Sequence, residues 1–71
     1  MALRTADAPK GWRRSFGKWF RVLGRGKRRV LARVWVQRGG GAEIVIDARC
    51  DGDVDAALKE AGEMVAWLRG G

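Results

Sequence analysis

The chain has no histidine and no tyrosine, and only one residue each of cysteine, proline, serine and threonine. Each scarcity closes off a class of function. Without histidine, and with Cys50 as the lone thiol, a structural zinc site has no ligand set and an internal disulfide has no partner. Ser15 and Thr5 stand without a base to activate them. No nucleophile–base–orienter set can be assembled, so the chain is expected not to be an enzyme. Asp51, Asp53 and Asp55 begin like a calcium loop. Ala56 and Gly62, however, stand where that loop needs its glycine and its bidentate glutamate. No metal or cofactor is expected. No apolar run approaches the ~20 residues of a membrane span or follows the N-terminus as a signal peptide would. With a single cysteine, a reducing, cytoplasmic setting is the expectation.

A further absence is local. From Lys10 to Arg38 there is no acidic residue, while eleven basic ones occur: Lys10, Arg13, Arg14, Lys18, Arg21, Arg25, Lys27, Arg28, Arg29, Arg33 and Arg38. Trp12, Phe16, Trp19, Phe20 and Trp35 lie among them. From Glu43 onward the balance reverses, with seven acids against Arg49, Lys59 and Arg69. A one-signed block interleaved with aromatics suits a polyanion, because positive potential steers phosphate and aromatic faces can stack on bases.

The 71 residues allow one small domain. At that size only about 60% of the unfolded chain's surface is buried, and no disulfide or metal adds support. A homodimer is therefore one expected way of completing the core. Residues 1–11, with Ala8-Pro9 and Gly11 and no apolar period, read as a flexible arm ahead of a single domain over 12–71.

Two segments alternate strictly. In residues 28–37, Val30, Ala32, Val34 and Val36 oppose Arg29, Leu31, Arg33, Trp35 and Gln37. In residues 43–50, Ile44, Ile46, Ala48 and Cys50 oppose Glu43, Val45, Asp47 and Arg49. The Arg38–Ala42 stretch between them supplies a glycine-rich hairpin loop. A five-residue loop sets Val34 opposite Ile46 and Arg33 opposite Asp47, an opposite-charge pair on the outer side. Cys50, on the apolar parity, is expected to be buried. Residues 53–69 read as a helix capped by Asp53, with Val54, Ala57, Leu58, Ala61, Met64, Val65 and Leu68 as its apolar stripe and Gly70 as its stop. Residues 12–23 fit two readings. Trp12, Phe16, Trp19, Phe20 and Leu23 match a helical stripe. Gly11 and Gly17, and the aromatic and β-branched content of 18–23, favour a strand with a tight Gly24–Gly26 turn after it. The expected fold is α+β: a three-stranded antiparallel β-meander with one C-terminal helix on one face. The alternative is helix–β-hairpin–helix.

In that fold the outward face collects Trp19, Arg21, Arg29, Arg33, Trp35 and Arg49, with Arg25, Lys27 and Arg28 at the turn. These nine are the expected site for nucleic acid or a protein partner. The bland alternative is a solvated face whose arginine stems shield tryptophan and leucine. The Gly24–Arg29 turn lacks the spacing and lysine-serine end of a phosphate-binding loop. Its Arg-Gly-Lys centre resembles the core of AT-hook peptides without their flanking prolines. The helical reading of 12–23 would make it a basic amphipathic segment able to lie on an anionic membrane surface, though the strand reading makes a membrane partner the lesser expectation.

Gly11-Trp12, Gly17-Lys18-Trp19, the strand Leu31-Ala32-Arg33-Val34-Trp35, the Gly39–Gly41 turn and the alanine-rich helix from Ala56-Ala57 to Leu68 follow one another. That order resembles small accessory proteins of bacteriophages and prophages, some of them anti-CRISPR or other counter-defence inhibitors. The resemblance implies a non-enzymatic protein that inhibits a host nucleoprotein complex. Many such inhibitors are acidic DNA mimics, whereas this chain is basic. The competing expectation is direct, largely sequence-tolerant binding of DNA or RNA.

Overall fold

The computed structural model describes residues 8–70 of the chain; most of the expected N-terminal arm, residues 1–7, lies outside the described residues. Four strands, β1 (Arg13–Ser15), β2 (Lys18–Leu23), β3 (Val30–Val36) and β4 (Ala42–Ala48), form an antiparallel sheet in chain order, and the helix α1 (Val54–Leu68) closes the chain. The α+β class and the C-terminal helix are as the patterns imply. The sheet has four strands where three were expected. Residues 13–15 and 18–23 are both extended, which removes the helix–hairpin–helix alternative and the amphipathic helix with it. The reason is local: Phe16 and Gly17 adopt φ of 50° and 76°, the paired positive values of a two-residue type I′ hairpin loop. No helix among the described residues is long and apolar enough to cross a membrane.

α1 lies on one face of the sheet, chiefly over β3. Val30, Ala32 and Val34 of the sheet and Ala57, Ala61 and Met64 of the helix are buried between the two layers. Small alanines on the helix let it approach closely, and Met64 fills the remaining space. Asp53 caps the helix, accepting a hydrogen bond from the Ala56 N–H at 3.0 Å. Val54 and Leu58, although part of the apolar stripe, remain 40% and 46% exposed. The turn before β1 also belongs to the fold: Ala8 packs against the core, the Trp12 N–H donates to the Pro9 carbonyl, and the Trp12 indole is buried.

The register of β3 and β4 is tighter than expected. Gln37 N–H donates to the Gly41 carbonyl, and Gly39 and Gly40, at φ of 90° and 88°, carry the reversal. Val34 therefore faces Ile44, Arg33 faces Val45, and Asp47 faces Leu31. The shift is by two residues, so each side chain keeps its face. The expected Arg33–Asp47 pair is not formed.

The link from β2 to β3 has a larger consequence. A 3₁₀ turn, Gly26–Arg28, follows Gly24, whose φ is 72° and where a Cβ would collide with the Arg28 carbonyl. This longer turn sets Trp19 opposite Val34, Arg21 opposite Ala32 and Leu23 opposite Val30. Trp19 and Arg21 thus share the helix-covered face, not the outer one. Trp19 is 5% exposed and meets the Trp67 ring edge-on, centroids 5.4 Å apart. Arg21 reaches Glu60 on α1 at 3.2 Å.

Candidate nucleic-acid interface

The second face of the sheet has no layer over it among the described residues. Strand parity gives its content: Arg13 and Ser15 from β1, Lys18, Phe20 and Val22 from β2, Leu31, Arg33 and Trp35 from β3, and Glu43, Val45 and Asp47 from β4. Arg29 and Arg49 face each other just beyond the strand ends, where the Arg49 N–H donates to the Arg29 carbonyl at 2.9 Å. Five cationic residues therefore share the face with two acidic ones.

Its relief follows the same arrangement. A depression of about 180 Å³ is lined by Arg29, Leu31, Asp47 and Arg49. A second, of about 330 Å³, is lined by Gly11, Arg13, Phe20 and Val22. Val22 and Leu31, one from each lining, are direct cross-strand partners, and the neighbouring row Arg13–Phe20–Arg33–Val45 crosses all four strands. The Arg33 Nε is buried without a hydrogen-bond partner. The residue as a whole is half-buried, opposite Phe20 and Val45. Lys18 Nζ lies 4.7 Å from the centroid of the Trp35 ring. Trp35 sits two residues beyond Arg33, the partner of Phe20, so the two residues are diagonal neighbours on the sheet, a relation whose backbone spacing is about 7–8 Å.

Of the nine expected site residues, Arg29, Arg33, Trp35 and Arg49 lie on this face. Arg25, Lys27 and Arg28 are exposed on the turn that continues it at one end, where the Asp51 N–H donates to the Lys27 carbonyl. Trp19 and Arg21 do not belong to it; they hold the helix. Arg13, Lys18 and Phe20 are the members that pattern reading missed. Arg13 lies on a strand too short to show a period, and the other two follow from the inverted parity of β2. Cys50, expected to be buried, is exposed, because β4 ends at Ala48 and the thiol falls in the turn before α1.

Phe16 stands apart, fully exposed at the tip of the β1–β2 hairpin and the one described non-glycine residue with positive φ. The chain has no match among protein-family models, curated proteins or solved structures, so the reading of its function rests on this face.

Proposed function

We propose that the chain is a non-enzymatic nucleic-acid-binding protein that engages its ligand, with little dependence on sequence, through the uncovered face of the sheet. The observation that carries the reading is the composition of that face: Arg13, Lys18, Arg29, Arg33 and Arg49 surround Phe20, Leu31 and Trp35, with Arg25, Lys27 and Arg28 adjoining. Cations alone would suit any polyanion. Two ring systems at the spacing of diagonal neighbours suit bases, and most directly the unstacked bases of a single strand. Lys18 over Trp35 does not block this. A cation–π contact at an exposed site contributes about 0.5–1 kcal/mol, whereas a base stacked on an aromatic ring contributes about 1–3 kcal/mol. The base displaces the ammonium, which is then free to meet the adjacent phosphate.

The test is a titration of single-stranded and duplex oligonucleotides at several salt concentrations. With the five cations engaged, the slope of log K against log salt should be about −3.5 on single strands. Affinity should then fall about a hundredfold across a fourfold rise in salt. Binding that ignores salt, or no binding at low salt, overturns the reading.

A second reading has its own observation. Phe16, fully exposed on a conformation that phenylalanine rarely adopts, has the character of an aromatic anchor for an apolar pocket on a protein. It would make the chain a phage-type inhibitor of a host nucleic-acid-processing complex, with the basic face set against bound nucleic acid or acidic protein. Failure to bind oligonucleotides at low salt favours this alternative.

A further inference from the structure

The two edges of the sheet are built differently. β1 has three residues, two of them arginine, a short charged edge that discourages pairing with another strand. β4 has seven, with Ile44, Val45 and Ile46 in succession and neither proline nor lysine. Of the usual features that keep an edge single it has only two charges, Glu43 and Asp47, both directed to the open face with the odd-numbered residues. The hydrogen bonds Arg49 N–H to Arg29 and Gln37 N–H to Gly41 direct the odd-numbered residues of this strand toward β3. By the alternation of an antiparallel ladder, the N–H and C=O groups of Ile44, Ile46 and Ala48 point outward. Among the described residues no strand lies beside them. On the helix side of this edge, Ile44 is 37% exposed and Val36, diagonal to it on β3, is 44% exposed.

We infer that β4 pairs with β4 of a second copy of the chain, antiparallel, about a two-fold axis at Ile46. The outward backbone groups require even-numbered residues to face even-numbered ones, which leaves a few registers. Centred on Val45, the pairing sets Glu43 against Asp47 of the other copy, twice. Centred on Asp47, it sets that carboxylate against itself. Centred on Ile44, it leaves Asp47 opposite the Gly41 loop. Centred on Ile46, it brings Glu43 opposite Arg49, Val45 opposite Asp47, Ile44 opposite Ala48 and Ile46 opposite itself. A pairing centred on Ala48 would set Asp47 opposite Arg49 but leaves only Ala48 with a partner inside the strand; of the registers that pair more of β4, the one centred on Ile46 alone gains two opposite-charge pairs and incurs no like-charge pair. It also places isoleucine and alanine together on the helix side, where Ile44 and Ala48 are now exposed and Ile46 is half-buried. The axis stands perpendicular to the sheet, so both uncovered faces turn the same way and form one eight-stranded surface. The pairing goes beyond nucleic-acid binding and needs no ligand; only the meaning of the enlarged surface rests on that reading.

Sedimentation equilibrium of the full chain, without nucleic acid, tests it. The native chain is expected at twice its 7.9 kDa mass at micromolar concentration. Glu43→Arg and Arg49→Glu should each weaken the dimer about tenfold, by setting like charges opposite one another at both ends of the junction. The double variant should recover native affinity. Residues six apart on one strand are separated by about 20 Å, so recovery cannot arise within a single chain. Both positions are exposed, and circular dichroism should report folded protein throughout. A monomer at every concentration up to millimolar, single variants that dimerise as the native chain does, or a double variant no better than the singles would each overturn the inference. None of these outcomes depends on whether oligonucleotides bind.

Discussion

Trp19 and Trp35 are the same residue type on neighbouring strands, and their fates differ because one faces the helix and the other does not. Trp19 is 5% exposed, with Trp67 edge-on and Ala61 and Met64 in the same cluster. Removing it would leave a cavity in the core of a domain too small to absorb one. Trp19→Ala is expected to cost about 3–5 kcal/mol, a large part of the stability of a chain this short. Trp35 touches Lys18 and half-exposed neighbours on the open face. Trp35→Ala should leave the unfolding midpoint within a few degrees of native and weaken single-strand binding about tenfold or more, the loss of one stacked base. Thermal unfolding followed by the same titration on both variants separates the roles. If Trp35→Ala unfolds and Trp19→Ala binds poorly but stays folded, the two faces have been assigned the wrong way round.

At the scale of elements, the turns decide which side chains reach the open face. The alternation of β3 and β4 is legible from composition alone, and so is α1, whose Asp53 cap and Ala57/Ala61/Met64 stripe are where the spacing sets them. The residues of β2 are equally legible as a strand. Its facing is not, because a strand with aromatic residues on both sides, Trp19 and Phe20, has no apolar parity of its own. The facing is fixed by the Gly24–Arg29 connection, and a 3₁₀ turn there instead of a tight reversal exchanges the two sides. β1 escaped notice for a related reason: three residues, all exposed, carry no period. The hairpin that pairs it also contains the costliest turn. Asparagine followed by glycine is the preferred pair for two consecutive positive φ values, whereas phenylalanine at φ of 50° is strained and its ring gains no burial. Phe16→Asn is therefore expected to stabilise the fold by about 0.5–1 kcal/mol, a rise of roughly 2–8 °C in the unfolding midpoint. A fall in the midpoint would mean that the ring is packed and the turn unstrained. A rise would leave the exposed phenylalanine without a folding role, which directs attention to a partner.

Across the whole molecule, charge is divided by layer. The sheet carries most of the excess of basic residues on its open face and adjoining turn, and α1 with its capping segment carries Asp51, Asp53, Asp55, Glu60 and Glu63. With a net charge of +7, some attraction to any polyanion follows from the total alone, and that attraction must be distinguished from a site. Arg33 and Lys59 provide the means. Arg33 lies at the centre of the open face, opposite Phe20 and Val45. Lys59 is exposed on α1 and stands two residues from both Ala57 and Ala61. Near 100° per residue, that spacing puts it on the side of the helix away from the sheet. Arg33→Gln and Lys59→Gln each remove one positive charge, so a mechanism driven by net charge predicts the same small loss from both. A mechanism seated on the sheet predicts a difference. Arg33→Gln should lower the magnitude of the salt slope by about 0.7 on single strands and about 0.9 on duplex, one phosphate contact, while Lys59→Gln should leave it unchanged. Neither change touches the buried layer between sheet and helix, so both proteins should unfold near the native midpoint. Equal slopes for the two variants would move the interaction from the open face to the charge of the molecule as a whole.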